Sequence, residues 1–514
     1  MRVLTAAEAR AFDRWAIEEL GVPPLVLMEN AAFAVAEAVG ESFSTARRVS
    51  IFCGPGNNGG DGLAVARQLL TRGYEVAIAL ANFGRALSND CARQLEICQA
   101  MELTVVELGD DWRETAALAA EADLVIDALF GTGLERPLLA PYAELVEWLN
   151  SLPVPRLAID VPSGLDASRA HPIGPAIRAS VTVTFAAPKI AHLLLPAAEW
   201  VGELSVADLG VPFELSPVAE GTLEVTTAGE LAAGLIPRPA AAHKGTFGHL
   251  LLVAGSRGKA GAAILAARGA VAGGAGLVTV ATVESAWAAL ASAVPEAMTL
   301  PFAEESGGGI AGAGLAVLVE AARARDVLAI GPGIGSSPEV AKWVRKLVLE
   351  VSELPLVLDA DGLNAFAGAL KSLRARKGRT VLTPHPGELA RLLGTTTEDV
   401  EADRLAAVRK AAEISGALVV LKGARTLVGL PGGEVAIQTT GNPAMASGGS
   451  GDVLTGLLAA RLAQGDEPSF AARLAVHLHG AAGDLAVAAG FTPAVPAGAL
   501  ANHLGKAFEK LREA

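Results

Sequence analysis

Two glycine-rich runs, each leading through an aspartate into a helical pattern, are where this chain could do chemistry. In GPGNNGGDG, residues 54–62, Gly54, Gly56 and Gly59 satisfy G-x-G-x-x-G, while Asn57, Asn58 and Asp61 add polar side chains. Such a loop after a strand turns backbone N–H groups and a helix N-terminus toward an anion. A dinucleotide fold would place a ribose-binding carboxylate about 20 residues on, at the end of the next strand. The sequence there reads Ala79-Leu80-Ala81-Asn82, which argues against an ordinary NAD dehydrogenase. In TTGNPAMASGGSGDVLTG, residues 439–456, Gly448, Gly449 and Gly451 can form an anion-binding nest beside Asp452. A carboxylate at a helix start can merely compensate the helix dipole. Within a nest that holds a transferring phosphoryl group, it can instead take the proton of the attacking hydroxyl. No G-x-x-x-x-G-K-[ST] occurs, so a P-loop NTPase is unsupported.

Other strand ends carry similar groups. Asp127 closes a strand and is followed by FGTGLERPL, 130–138; Asp160 closes another and is followed by VPSGLDA, 161–167. Either aspartate alone could be a helix cap. Three polar loops beyond strand carboxyl ends point instead to one ligand site, where open α/β sheets bind. Further on, strands run into GPGIG (331–335), TPHPGE (383–388) and KGART (422–426). Gly333 permits close backbone approach. His385 lies between two prolines on a stiff loop, and Lys422 can neutralise phosphate or simply be solvated. His477 and His479 fall in an Ala/Leu helix and read as packing residues.

The elements that must position these residues follow from the pattern. Short β-branched runs alternate with Ala/Leu-rich amphipathic stretches, as in βα units around a parallel sheet. Expected strands in the first half are 49–53, 76–80, 124–128, 157–160 and 181–185, with a helix over 61–72. The first helix opens on a capping box, Thr5 with Glu8. The rhythm lapses around 215–223, where Pro217 and Gly221 sit among mixed residues, and restarts beyond. Expected strands are then 250–254, 278–281, 327–330, 356–358, 380–382 and 418–421. A hairpin near 431–434 and a helix over 452–464 follow. The chain therefore divides into two α/β domains, 1–215 and 224–514.

Its 514 residues carry 41 Lys+Arg against 55 Asp+Glu, a net charge of −14, which disfavours nucleic-acid and anionic-membrane partners. Mean hydropathy is high at +0.41. Yet the longest charge-free run, 485–505, is broken by Pro493, Pro496, Asn502 and His503, so no spanning helix is expected. Residues 1–20 alternate charged and apolar types, unlike a signal peptide. Three cysteines without metal spacing fit a reducing, cytoplasmic setting. The Ala-rich apolar composition suggests a homo-oligomer.

GPGNNGGDG, DALFGTGL and DVPSGLDA, together with LMENAA (27–32) and APK (187–189), resemble the NAD(P)H-hydrate epimerase family over 1–215. The resemblance implies a Rossmann-like three-layer αβα domain that interconverts the R and S hydrates of NADH and NADPH. It places substrate binding on Asn57, Asn58, Gly59, Gly60 and Asp61, and on Gly131, Thr132, Gly133, Leu134, Glu135, Arg136, Pro137 and Asp160. Its potassium ligands fall on Asn58, Asp127 and Ser163, oxygen donors suited to a hard cation. Asp160 is the expected catalytic acid/base.

HKGTFG, GPGIG, DADGLNA, TPHPGE, KGA and GNPAMASGGSGD, in that order, resemble the ADP/ATP-dependent NAD(P)H-hydrate dehydratase family, of ribokinase-like αβα fold. The implied hydrate-binding residues are Ala262, Gly333, His385 and Asp452. Those for the adenine nucleotide are Lys422, Gly423, Ala424, Arg425, Thr426 and Gly451. Joined, the halves resemble the bifunctional NAD(P)H-hydrate repair enzymes. ADP, or ATP, would phosphorylate the S-hydrate hydroxyl with Mg²⁺, Asp452 acting as base, and phosphate loss would restore NAD(P)H. Two rivals stay open. One is a small-molecule alcohol kinase fused to a nucleotide-binding domain; the other is a non-catalytic nucleotide-binding scaffold.

Overall fold

A computed structural model describes residues 1–109, 111–117 and 121–514. It divides into two compact units, Met1–Gly221 and Thr222–Ala514.

The first unit opens with α1 (Ala6–Glu18), whose Thr5–Glu8 capping box is formed. Next comes α2 (Pro24–Ser42), which carries LMENAA and was not among the expected elements. Among the described residues seven parallel strands follow: β1 (Arg48–Cys53), β2 (Glu75–Leu80), β3 (Val105–Glu107), β4 (Leu124–Ala128), β5 (Arg156–Ile159), β6 (Val181–Phe185) and β7 (Glu203–Ala207). Their order is β3-β2-β1-β4-β5-β6-β7, so the connection reverses direction between β1 and β4. Ligand crevices form at such a switch point, beyond the strand carboxyl ends. The registers Phe52↔Asp127 and Asp127↔Ala158 bring the ends of β1, β4 and β5 to one edge.

The helix after β1, α3, spans Asn57–Thr71 and starts four residues before the expected position 61. Asn and Gly have low helix propensity, which delays a start read from sequence. Packing decides otherwise: a Cβ on Gly59 would lie 1.8 Å from the Gly54 carbonyl oxygen, so only glycine permits this turn. Short edge strands β3 and β7 also escaped the pattern, because their half-exposed residues lack a continuous apolar run.

The second unit holds one ten-stranded sheet: β8 (Leu223–Val225), β9 (His249–Val253), β10 (Leu277–Val283), β11 (Met298–Phe302), β12 (Val327–Ile330), β13 (Leu356–Leu358), β14 (Thr380–Leu382), β15 (Leu418–Leu421), β16 (Leu427–Gly429) and β17 (Val435–Ile437). The order is β11-β10-β9-β12-β13-β14-β15-β16-β17-β8. All pairs are parallel except β15–β16 and β16–β17, the hairpin. The four helices that bear on the site are α4 (Ala260–Ala272), α5 (Pro386–Leu393), α6 (Ser450–Ala463) and α7 (Pro468–Ala488). Helices α4 and α6 cross almost in backbone contact: a Cβ on Gly456 would meet the Ala266 oxygen at 1.8 Å. The core around them is Ala, Val and Leu, including Ala263, Ala266, Ala267, Leu457 and Leu458. Small side chains are what allow so close a crossing, and the crossing fixes where α6 begins.

No helix among the described residues is long and apolar enough to cross a membrane. Cys53, Cys91 and Cys98 are free and buried.

Candidate active sites

In the first unit the strand ends enclose a cavity of ≈ 390 Å³. That is within the size range of small-molecule sites. Asn57, Asn58 and Asp61 line it from the start of α3, Gly131 to Leu134 from the loop after β4, and Asp160 and Lys189 from beyond β5 and β6. The expected substrate residues are thus gathered, with differences. Gly59 and Gly60 are buried in packing against Gly54 and Met28 rather than in the lining. Glu135, Arg136 and Pro137 are exposed beyond it, and Glu135 pairs with Arg10.

Asp160 has φ +65°, a left-handed conformation uncommon outside glycine and often found where a side chain must be aimed. Its Oδ1 accepts from Lys189 Nζ at 2.8 Å and from Thr184 Oγ1 at 3.0 Å, and its Oδ2 accepts from the Thr132 N–H at 3.2 Å. Burial alone would raise the carboxyl, but Lys189 and these hydrogen bonds outweigh it and hold Asp160 below the usual carboxylate range. It therefore stays ionised. Behind it His192 is buried and pushed down to about 3, neutral, its Nδ1 accepting from the Lys189 N–H.

Asp127 is fully buried at the end of β4. Its oxygens accept from Ser163 Oγ (2.6 Å), the Ser163 N–H (2.8 Å) and the Leu129 N–H (3.2 Å), all neutral donors. Burial raises it to about 6 despite them. Asn58 Nδ2 is buried with no hydrogen-bond partner. Its Oδ1 and the Asp160 carboxylate both face Gly131, 3.1 and 3.0 Å from where a Cβ there would stand.

Lys189 and Asp13 are cavity-lining groups the sequence reading did not single out. Lys189 lay in a recognised APK run without a role. Asp13 sits on the face of α1 that lines the cavity with Ala9, Phe12 and Ile17. A carboxylate within an apolar helical face was the legible signal.

In the second unit Asp452 lies in the first turn of α6, which begins at Ser450. Gly449 caps it at φ +90°, and Gly451 faces Lys422 Nζ, 3.3 Å from where a Cβ would stand. Lys422 is paired: its Nζ donates to Asp359 Oδ1 at 2.6 Å and lies 3.9 Å from Glu388. Burial works against its charge, yet Asp359 and Glu388 raise its pKa. Asp359 Oδ2 also accepts from Thr455 Oγ1 at 2.6 Å, tying β13 to α6. Burial and the neighbouring Asp359 lift Asp452 to about 7, with Lys422 pulling the other way. Asp359 closes a strand as Asp127 and Asp160 do, a signal present in DADGLNA.

Ala262, in the first turn of α4, lies beside Gly333, whose Cβ would stand 2.9 Å from that of Ala262. His385 caps α5 rather than occupying a free loop, its Nδ1 accepting from the Gly387 N–H at 3.1 Å. The other nucleotide candidates form a turn after β15. Thr426 Oγ1 donates to the Gly423 oxygen at 2.9 Å, Arg425 reaches the Thr439 oxygen at 2.9 Å, and Gly423 and Ala424 are exposed. His479, on α7, is buried against Ser450, with Nε2 3.0 Å from its carbonyl oxygen, and burial lowers it to about 4.

Residues 250–506 match the family model described as NAD(P)H-hydrate dehydratase, and residues 24–191 match that of the YjeF-related protein N-terminus. The bifunctional NAD(P)H-hydrate repair enzyme of Moorella thermoacetica is 42% identical, over 100% of this chain and 98% of its own. That of Thermofilum pendens is 37% identical, over 100% and 97%. The solved structure of the ADP/ATP-dependent NAD(P)H-hydrate dehydratase from Bacillus subtilis, co-crystallised with ATP/Mg²⁺, is 31% identical. It covers 56% of this chain and 98% of its own, with a TM-score of 0.50. With both halves matched in order and relatives aligned along the whole length, the chain belongs to the family of bifunctional NAD(P)H-hydrate repair enzymes.

Proposed function

We propose that the two sites divide the repair as follows. In the second unit the S-hydrate hydroxyl attacks the terminal phosphorus of ADP. The bond to the bridging oxygen breaks, AMP leaves, and Asp452 takes the hydroxyl proton. Phosphate then departs from the ring carbon, driven by the neighbouring ring nitrogen, and loss of a ring proton restores NAD(P)H. Phosphorylation turns a poor leaving group into a good one, which is why a kinase-like fold suits a dehydration. The observation that carries this reading is Asp452 in the first turn of α6, poised near neutrality beside Gly449 and Gly451. A general base is most effective with a pKa near the working pH. Lys422, Gly423, Ala424, Arg425 and Thr426 would take the nucleotide. Lys422 would also fix Asp359 and thereby α6.

No group of three or more His, Cys, Asp or Glu side chains among the described residues could hold a metal. Mg²⁺ would be carried on the nucleotide phosphates, with Asp452 and its neighbours near it, since Mg²⁺ keeps waters and takes few protein ligands. It would neutralise charge developing on the transferred group.

The first unit would supply the S form by epimerising the R-hydrate, with Asp160 as its ionised acid/base. Asn58, Asp127 and Ser163 offer potassium oxygen ligands, an amide oxygen, a hydroxyl and a buried carboxylate met only by neutral donors. Potassium would offset that carboxylate next to an anionic substrate.

Absorbance at 340 nm on mixed R and S hydrates tests the reading. Complete recovery of NADH from both epimers is expected with ADP present and none without nucleotide. No recovery with ADP or ATP would refute it. A stable phosphorylated product would support the alcohol-kinase alternative.

A further inference from the structure

Asp160, held ionised by Lys189, can accept a proton, but removing a hydroxyl from carbon also needs a donor. Asp13, Asp61 and Asp90 are the other carboxyl groups in the lining, and of these Asp13 is the exposed one. It stands on α1, on the Ala9–Phe12–Ile17 face that forms one wall of the cavity, while Asp160 arrives from the end of β5. Asp13 is exposed and belongs to the cavity lining, so a seated ring could reach it. We propose that Asp13 is a further catalytic residue of the epimerase half, the proton donor to the departing hydroxyl, with Asp160 as its counterpart from another wall. This rests on the epimerase reading above.

The hydrate carries its hydroxyl on the ring carbon next to the ring nitrogen. Asp13 gives its proton to the hydroxyl oxygen. The C–O bond breaks, its electron pair leaves with the new water molecule, and the nitrogen lone pair closes a C=N bond. Water then attacks the other face of that carbon and loses a proton to Asp160, and nitrogen recovers its pair. The product is the opposite epimer. Asp13 is now a carboxylate and Asp160 a carboxyl, the state that runs the reverse conversion; solvent entering the open cavity resets both. Two carboxyl groups whose surroundings push their titrations apart are the pattern of an acid/base pair.

The groups facing Asp13 agree. The walls around it, the Asp160 charge and, in opposition, Lys189 set Asp13 at about 6, so it can both hold and release a proton near neutrality. Asp61, also in the lining, is enclosed more deeply and is pushed well above the carboxylate range by burial and by Asp160, Asp13 and Asp90.

The test uses the full chain, with R-to-S exchange followed by chromatography without nucleotide, corrected for the uncatalysed rate. Asp13→Asn should lower epimerase kcat by about 10²-fold or more, the usual worth of a positioned acid. KM should change little, and ADP-dependent dehydration of the S-hydrate should be unchanged, reporting an intact fold. Native kcat/KM should fall as pH rises through about 6; Asp13→Glu should retain activity and that limb. Retention of native kcat by Asp13→Asn, or a rise in KM alone, overturns the assignment while leaving the epimerase reading standing. Absence of exchange in the native chain overturns the reading itself and the assignment with it.

Discussion

Lys189 and Asp160 form an ion pair at 2.8 Å in which both side chains are nearly closed to solvent. Truncating one partner strands the other charge in a low-dielectric site, a loss of about 3–5 kcal/mol for a buried pair. Lys189→Met should therefore destabilise the first unit by that order in urea unfolding at pH 7 and slow epimerisation. Because the folded pKa of Asp160 is depressed, its stabilisation is present above the unfolded carboxylate value, about 3.9, and is lost as pH falls through the folded one. The gap between native and variant midpoints should narrow below about pH 4. An equal gap at pH 3 and pH 7 would contradict the pairing.

Asp452 has the opposite sign. Its folded pKa, about 7, lies above the unfolded value, so the stabilisation from its proton is full at low pH and is lost as pH rises through about 7. Asp452→Asn should remove that slope, and its stability relative to the native chain should improve from pH 4 to pH 8. Dehydration should be abolished while epimerisation persists. Native dehydration should rise with pH through about 7 if the carboxylate is the base. Surviving NADH recovery in Asp452→Asn would remove it from that role.

Asp127 should respond to potassium. A cation bound to its buried carboxylate favours the folded state by mass action, by about 2.7 kcal/mol at 100 times the dissociation constant. Thermal unfolding in KCl should exceed that in tetramethylammonium chloride of equal ionic strength, and Asp127→Asn should erase the difference. Identical melting of the native chain in both salts would count against the site.

Gly456→Ala probes the crossing that aims α6. The added Cβ would stand 1.8 Å from the Ala266 oxygen, so α4 and α6 must part. Overpacking of this kind costs about 1–3 kcal/mol. Lower urea stability of the second unit, weaker dehydration and native epimerisation are expected. Native stability would show the contact to be slack.

Regular interior strands were legible because each is a short, continuous apolar run: 124–128, 327–330 and 418–421 match β4, β12 and β15. The start of α3 was not, since its Asn and Gly residues oppose a helix locally and only contact with Gly54 and Met28 favours it. The GGSGD loop and the strand-end aspartates were also visible, as residue type and spacing suffice to mark them.

Sequence alone determined the family pattern, the two-part α/β order and the identity of the polar loops, because these are properties of neighbours along the chain. Tertiary structure decided which charges meet. Lys189 ionises Asp160, Asp359 claims Lys422, and Asp13 reaches the same cavity from 147 residues before Asp160 (160 − 13). A carboxyl becomes acid, base or counter-ion according to its burial and its partners. Those are fixed only when strands and helices distant in sequence are packed together.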